Sequence, residues 1–123
     1  MSYDIRICVR TIDANKDGDS FAIVYVPKYD SPTYNLRSMF VACMDWDYIQ
    51  GEYYPLVDVL PKLKHGLAEL TQFPEKYSQY EAKNGWGTLE GAVKCIDSWI
   101  HEIEDDWGGP TYNWDIESLW WKW

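Results

Sequence analysis

The sequence predicts an α+β fold, in which a small antiparallel sheet packs against three or four helices. From Tyr3 to Thr11, apolar and polar residues alternate with the period of two that is typical of a half-buried strand. In residues 56–70 and 89–103, apolar residues recur every three or four positions, which is typical of amphipathic helices. The sheet is expected to combine an N-terminal hairpin with a C-terminal strand.

Length and composition indicate one domain, residues 1–123. Of the 123 residues, 46% are hydrophobic and 17% are aromatic. A chain of this length is too short for two cores, but it buries about two-thirds of its unfolded surface on folding. Composition therefore predicts a packed core without disulfides or metals.

The first 26 residues predict a β-hairpin. The strand Tyr3–Thr11 is followed by the turn-forming segment Asp13–Ser20 and a second strand, Phe21–Val26. The turn segment matches the first half of an EF-hand calcium loop, but Val24 occupies the twelfth position, where a bidentate glutamate belongs. We therefore predict a hairpin turn and no bound metal.

Helices are predicted in the middle of the chain. Residues 36–43 place their apolar side chains on one face, and Pro74 opens a short helix that ends near Tyr80. The longest stripe, residues 56–70, contains Pro61, which either kinks the helix or marks where its regular part begins.

The last helix and the C-terminus complete the prediction. Thr88 is the expected N-cap of a helix whose apolar stripe runs from Leu89 to Ile103. After a Gly-Gly-Pro break, residues 111–123 are predicted to form a strand or extended segment that joins the sheet or covers the core.

The negative charge is unevenly distributed along the chain. The formal net charge is −9, yet the first 40 residues hold five basic and five acidic side chains, so residues 41–123 carry the whole excess. An acidic surface repels phosphate, which argues against direct nucleic-acid binding and favours a host protein with a basic surface. No apolar run approaches the roughly 20 residues needed to cross a bilayer, so we expect a cytoplasmic protein without membrane contact.

No catalytic signature is present. The sequence lacks a nucleophile elbow and a phosphate-binding glycine loop, and its three widely spaced cysteines lie in apolar patterns typical of buried, reduced thiols. His101 is four residues from both Asp97 and Asp105, but this spacing is more typical of a solvated helix face than of a metal or acid–base site. We expect no catalytic residue and no cofactor.

Aromatic and acidic residues occur together around residues 45–54 and 105–107. Such mixtures suit a contact surface for Arg and Lys of a protein partner, or a pocket that stacks a nucleobase while carboxylates accept its amines. Core filling is the competing explanation for most individual rings. The predicted partner-binding residues are Asp45, Trp46, Asp47, Tyr48, Glu52, Tyr53, Asp105, Asp106 and Trp107.

Several stretches resemble a family of small uncharacterised proteins from phages, prophages and mobile elements of Gram-positive bacteria. They are MSYDI at the start, TYN at 33–35, SMF at 38–40, NGWGTLEGA at 84–92 and IESLWWKW at 116–123. The turn at 13–20 and the acidic segment 46–54 depart from the family pattern. The resemblance implies an accessory factor that acts on host machinery, such as an inhibitor of CRISPR or of another defence system.

The NGWG turn also predicts a ligand site. If Thr33, Asn35 and Asn84 converge beside Trp86 at the entry of the last helix, they form a polar cluster near exposed backbone amides. The leading hypothesis is a non-catalytic inhibitor with an acidic aromatic surface. The alternatives are a protein that sequesters a nucleotide signal, for which a homodimer interface is one candidate position, and an immunity protein that neutralises a toxin.

Overall fold

The computed structural model describes residues 2–11, 20–82, 85–105 and 109–123. Its four antiparallel strands lie in the order β2-β1-β4-β3, with the helices packed on one side. This arrangement confirms the predicted α+β fold. The strands are β1 (Arg6–Thr11), β2 (Ser20–Tyr25), β3 (Tyr53–Pro55) and β4 (Leu119–Lys122). The turn predicted within residues 13–20 lies almost entirely outside the described residues.

Four α-helices follow the predicted segments closely. They are α1 (Arg37–Met44), α2 (Leu56–Gln72), α3 (Pro74–Tyr77) and α4 (Leu89–Glu104), with short 3₁₀ turns at Tyr34–Leu36, Ser78–Tyr80, Pro110–Tyr112 and Ile116–Ser118. Thr88 caps α4 as predicted, because its Oγ1 accepts a hydrogen bond of 3.0 Å from the Gly91 N–H.

Pro61 lies inside α2, whose regular part begins at Leu56. A proline at this position removes the hydrogen bond to the carbonyl of Val57. Both residues are exposed, so that carbonyl is accessible to water. The helix therefore tolerates the proline. Of the two predicted alternatives, a kink or a regular part that begins near Pro61, the second is wrong.

The C-terminal strand occupies the interior of the sheet. β4 pairs with β1 on one side, where Trp121 is opposite Ile7, and with β3 on the other, where it is opposite Tyr54. The strand β3 was not predicted, because three residues are too few to establish a period of two. Its role is to join the segment before α2 to the C-terminal strand.

Tryptophan rings form the centre of the core. The side chains of Trp121 and Trp123 point from β4 and the C-terminus toward the helices and are buried. Their rings lie 5.2 Å and 5.9 Å from the ring of Trp99 in α4, and Trp123 lies 6.0 Å from Phe40 in α1. Core filling is therefore the role of these three tryptophans.

The opposite side of the sheet carries a smaller aromatic cluster. The rings of Phe21 and Tyr53 stack at 3.9 Å, and the ring of Trp120 meets Phe21 edge-on. Cys8 faces this side and is buried, as predicted for the cysteines, because its ladder neighbours are Trp120 and Ile23.

The turn before α4 contacts the turn before α1 at one point. Gly87 has a φ of +89°, and a Cβ built on it would lie 3.0 Å from the Cβ of Asn35 and 3.2 Å from its carbonyl carbon. Gly85 also has a positive φ, +79°, but a Cβ there would meet nothing within 4 Å. Only Gly87 is thus required for both its backbone conformation and its packing.

Alanine substitutions at the two glycines separate these contributions. We expect Gly85→Ala to lower the free energy of unfolding by about 1–2 kcal/mol, the cost of a left-handed backbone. Gly87→Ala is expected to cost at least about 1 kcal/mol more, because Asn35 must also move. Urea unfolding of both variants measures the difference, and equal losses would contradict a packing role for Gly87.

The buried thiols are expected to make the folded state less stable at alkaline pH. Burial raises the pKa of Cys43 from about 9 to about 12 and that of Cys95 to about 11, because the thiolate is poorly solvated in the core. In the unfolded chain both thiols lose their protons near pH 9, whereas the folded chain retains them. The folded state is therefore expected to lose stability as pH rises from about 9 toward 11 or 12.

Urea unfolding at several pH values between 7 and 11 tests this dependence. We expect the free energy of unfolding to be flat up to about pH 8 and then to fall. The free energy of unfolding of the Cys43→Ala variant should fall less steeply with pH than that of the wild type over the same interval. A stability that stays constant or rises between pH 8 and 10 would contradict the burial of neutral thiols.

Candidate functional site

Residues 45–52, here called the acidic loop, connect α1 to β3. α1 ends at Met44, and the next residue, Asp45, has a φ of +50°, the left-handed conformation that turns the chain away from the helix. The N–H of Trp46 returns to the carbonyl of Val41 at 3.1 Å. The sequence thus ends the helix with an aspartate, a residue that tolerates this conformation better than most.

The far end of the acidic loop is attached to the C-terminus. The Gly51 N–H donates to the carbonyl of Trp123 at 2.9 Å, and the Trp123 N–H donates to the carbonyl of Glu52 at 3.4 Å. At the middle of the loop, the Ile49 N–H donates to the hydroxyl of Tyr54 at 2.9 Å. Backbone hydrogen bonds therefore hold both ends of the loop, and a bond from the backbone to the Tyr54 side chain holds its middle.

An aromatic cluster supports the loop from below. Tyr48 stacks on Trp123 at 4.0 Å with an interplanar angle of 12°, and its hydroxyl lies 2.6 Å from that of Tyr3. Trp46 meets the rings of Tyr48 and Tyr54 edge-on, at 5.4 Å and 4.8 Å. The loop therefore rests on the core through two of its own aromatic side chains.

Arg37 of α1 links this cluster to the surface. Its guanidinium carbon lies 4.9 Å from the centre of the Tyr48 ring, and its Nη2 donates to Asp47 at 3.1 Å. Burial opposes the charged form of Arg37, but its contacts with Tyr48 and Tyr3 outweigh this effect, so the pKa of Arg37 is raised above its usual value. Because the Asp47 side chain is 87% exposed, the ion pair orients the loop more than it stabilises the fold.

The predicted contact residues of the loop fall into three groups. Asp45, Asp47 and Glu52 are exposed, so their carboxylates face solvent as the prediction requires. Trp46 and Tyr53 are half-buried, and Tyr53 belongs to the aromatic cluster on the other side of the sheet. Tyr48 is fully buried and is a core residue, which corrects its assignment to the contact surface. Tyr48 lies in an acidic segment, but its ring is buried because it packs against Trp123 and Trp46.

Sequence reasoning missed Ile49 as a contact residue. Its side chain is 61% exposed, and it lies between the exposed carboxylates of the loop. The available signal was an isolated aliphatic residue in a polar segment without helix or strand periodicity.

The second predicted acidic group lies at the end of α4. Asp105 is exposed and its Oδ2 lies 3.0 Å from Nδ1 of His101, whose Nε2 lies 3.5 Å from Asp97. Asp106 and Trp107 lie outside the described residues. Among the described residues, no group of His, Cys, Asp and Glu has the geometry to hold a metal ion. Within the described part of the chain, the hydrogen bonds of Asp105 join it to His101 of α4 and not to the acidic loop.

The predicted ligand site is only partly assembled. Thr33 Oγ1 accepts from the Asn35 N–H at 3.3 Å, and Asn35 packs against Gly87, so these residues do approach the entry of α4. Trp86 is 67% exposed, and Asn84 lies outside the described residues. The amides at the helix entry are already engaged: Thr88 binds the Gly91 N–H, as described above, and a carboxylate oxygen of Glu81 accepts from Leu89 N–H. The expectation of exposed amides is therefore wrong at these two positions.

A buried carboxylate in α4 was also missed. Glu102 is 9% exposed and accepts hydrogen bonds from the Tyr25 hydroxyl at 2.7 Å, the Lys28 N–H at 2.9 Å and the Ser98 hydroxyl at 3.3 Å. It lines an open depression of about 510 Å³ together with His101 and other polar residues. The sequence did contain a signal for this burial, because Glu102 lies three positions after Trp99 and therefore beside the apolar stripe of α4. With three donors, Glu102 joins α4 to the sheet edge.

Comparison with known proteins adds no relative to this description. No family model, no curated protein and no solved structure matches the chain. In the described part of the chain, no helix is long and apolar enough to cross a membrane. The features of the site therefore have to be judged on their own chemistry.

Two Tyr→Phe substitutions test whether Tyr48 is structural. Tyr48→Phe leaves the buried Tyr3 hydroxyl without its partner, and we expect a loss of about 1–2 kcal/mol in the free energy of unfolding. Tyr53→Phe is the matched control, because its half-buried ring packs through its face, and we expect a change within about 0.5 kcal/mol. Equal effects in urea unfolding would contradict this assignment.

Proposed function

We propose that this protein is a non-catalytic binding protein of phage or mobile-element type, which inhibits a host protein by docking the acidic loop on a basic surface. The observation that carries the proposal is the construction of the loop. It presents the exposed carboxylates of Asp45 and Glu52 on either side of an exposed Ile49, on a backbone held at both ends and in the middle.

The chemistry of the loop favours a protein partner. Hot spots of protein interfaces combine an apolar anchor with charged groups around it, which here are Ile49 and the flanking carboxylates. Asp45 and Glu52 form no ion pair with any described residue, so both are available to Arg and Lys of a partner. A preorganised loop also loses little conformational entropy on binding.

The class of partner follows from charge. Proteins that handle nucleic acid carry basic surfaces that neutralise phosphates, and such a surface is complementary to the acidic loop. A host defence nuclease fits this description. A nuclease toxin fits it equally, in which case the protein would act as an immunity protein, and a toxin gene beside its own gene would distinguish the two.

Charge reversal tests the proposal in a bacterial lysate. The double variant Asp45→Lys, Glu52→Lys should lose a partner that the wild type captures, and about 0.5–1 M salt should release that partner from the wild type. The matched control is Asp115→Lys, Glu117→Lys, which changes the charge equally at two exposed carboxylates outside the loop. We expect the control to retain the partner.

Capture followed by identification of the bound protein by mass spectrometry gives the readout. Inhibition is then measured on the activity of the identified partner, with and without each variant. If both double variants lose the partner to the same extent, net charge and not the acidic loop is responsible. A partner that ignores both salt and charge reversal would contradict the electrostatic mechanism.

A further inference from the structure

Within the described residues, the outer edge of β2 lacks the features that usually protect an edge strand. None of its residues, Ser20–Tyr25, carries a charge or is a proline, and no strand of the described residues pairs with this edge. Ile23 is 60% exposed, and Val26, just beyond the strand, is 49% exposed. Edge strands usually carry charges, prolines or covers that block pairing with another chain. An uncharged apolar edge of this kind is suited to strand addition.

The opposite edge of the sheet is blocked. β3 has only three residues and ends in Pro55, which has no N–H to donate to a further strand. Glu52 precedes it and adds a negative charge. The sheet thus has one edge that is open to pairing and one that is closed, and pairing between copies through β2 uses up the open edge and stops at a dimer.

Charge favours a second copy of this chain at β2. The chain carries a net charge of −9, so two copies repel each other wherever acidic surfaces meet. β2 itself is neutral, whereas Glu52 directly precedes β3, the other edge strand. Of the two edge strands, β2 therefore lets two acidic copies meet with the least repulsion between the paired strands themselves.

We propose that two copies of this protein associate through antiparallel pairing of β2 with β2, with the two-fold axis at Ala22. In this register, Ile23 of one copy lies opposite Phe21 of the other, on the outer side of the sheet. Each exposed Ile23 then extends the aromatic cluster formed by Phe21, Tyr53 and Trp120. The small side chains of Ala22 meet at the axis without a clash.

The short length of the β2–β2 pairing limits how tightly two copies associate. The pairing between β1 and β2 shifts register beyond Ile23, so the straight part of β2 is confined to Ser20–Ile23. Such a short ladder buries less than the 1,200–2,000 Å² of a standard interface, so we expect a concentration-dependent dimer. The inference is independent of the proposed function, because the acidic loop is not part of β2.

Cysteine cross-linking of the full chain tests the register. The native cysteines are buried, so Ala22→Cys adds an exposed thiol that meets its own copy at the two-fold axis. Ala68→Cys, on the exposed side of α2, is the matched control. Under mild oxidation, we expect a covalent dimer from Ala22→Cys at least about 10-fold faster than from Ala68→Cys. Equal rates would overturn the proposed register.

Analytical ultracentrifugation tests the association itself. Over about 1–500 µM, the wild type should shift from the 14.5 kDa monomer to twice that mass, and Ile23→Lys should remain monomeric. Circular dichroism checks that this exposed substitution keeps the fold, and Ile49→Lys, in the acidic loop, should still dimerise. A wild type that stays monomeric throughout, or a dimer that Ile23→Lys leaves intact, would overturn the proposal. If β2 instead paired with a peptide strand from another protein, the wild type would stay monomeric at all these concentrations.

Discussion

The burial of two C-terminal tryptophans organises this fold. Trp121 and Trp123 are two positions apart, so both side chains point to the helix side of the sheet. They pack residues 121–123 against β1, α1 and α4. An aromatic side chain buries roughly 150–250 Å², which corresponds to about 4–6 kcal/mol per ring at about 25 cal/mol per Å². Because β4 lies between β1 and β3, the sheet is continuous only when residues 119–122 are in place. The two ends of the sequence therefore depend on each other for stability.

The same contacts give the acidic loop its shape. The main chain of Trp123 binds both Gly51 and Glu52, and its ring supports Tyr48 within the loop. A loop on the surface is ordinarily the most mobile part of a domain. Here Trp123 of the core packs directly against the acidic loop, so this buried ring and its main chain restrict the movement of the exposed carboxylates. Stability and the geometry of the proposed contact surface thus have one physical origin.

Charge divides the molecule into two kinds of surface. Residues 1–40 are balanced in charge and supply β1 and the open edge strand β2, while residues 41–123 supply most of the helical residues, the acidic loop and the whole net charge. An acidic loop suits recognition of a basic partner, and a neutral edge suits association with a like-charged copy. If both occur, a dimer presents two acidic loops, and its avidity for a partner with two basic sites exceeds that of one copy.

The amino-acid sequence alone was sufficient for the α+β class, the N-terminal hairpin strands, the amphipathic helices and the C-terminal strand, because periodicity reports which residues share a face. It was insufficient for Tyr48 and Glu102, whose burial depends on residues far away in the chain: Tyr3 and Trp123 for Tyr48, and Tyr25 and Lys28 for Glu102. Composition indicated an acidic aromatic surface, but only tertiary structure separated the exposed carboxylates from the rings beneath them. The physical reason is that a period identifies a face, whereas what covers that face is decided by packing between distant segments.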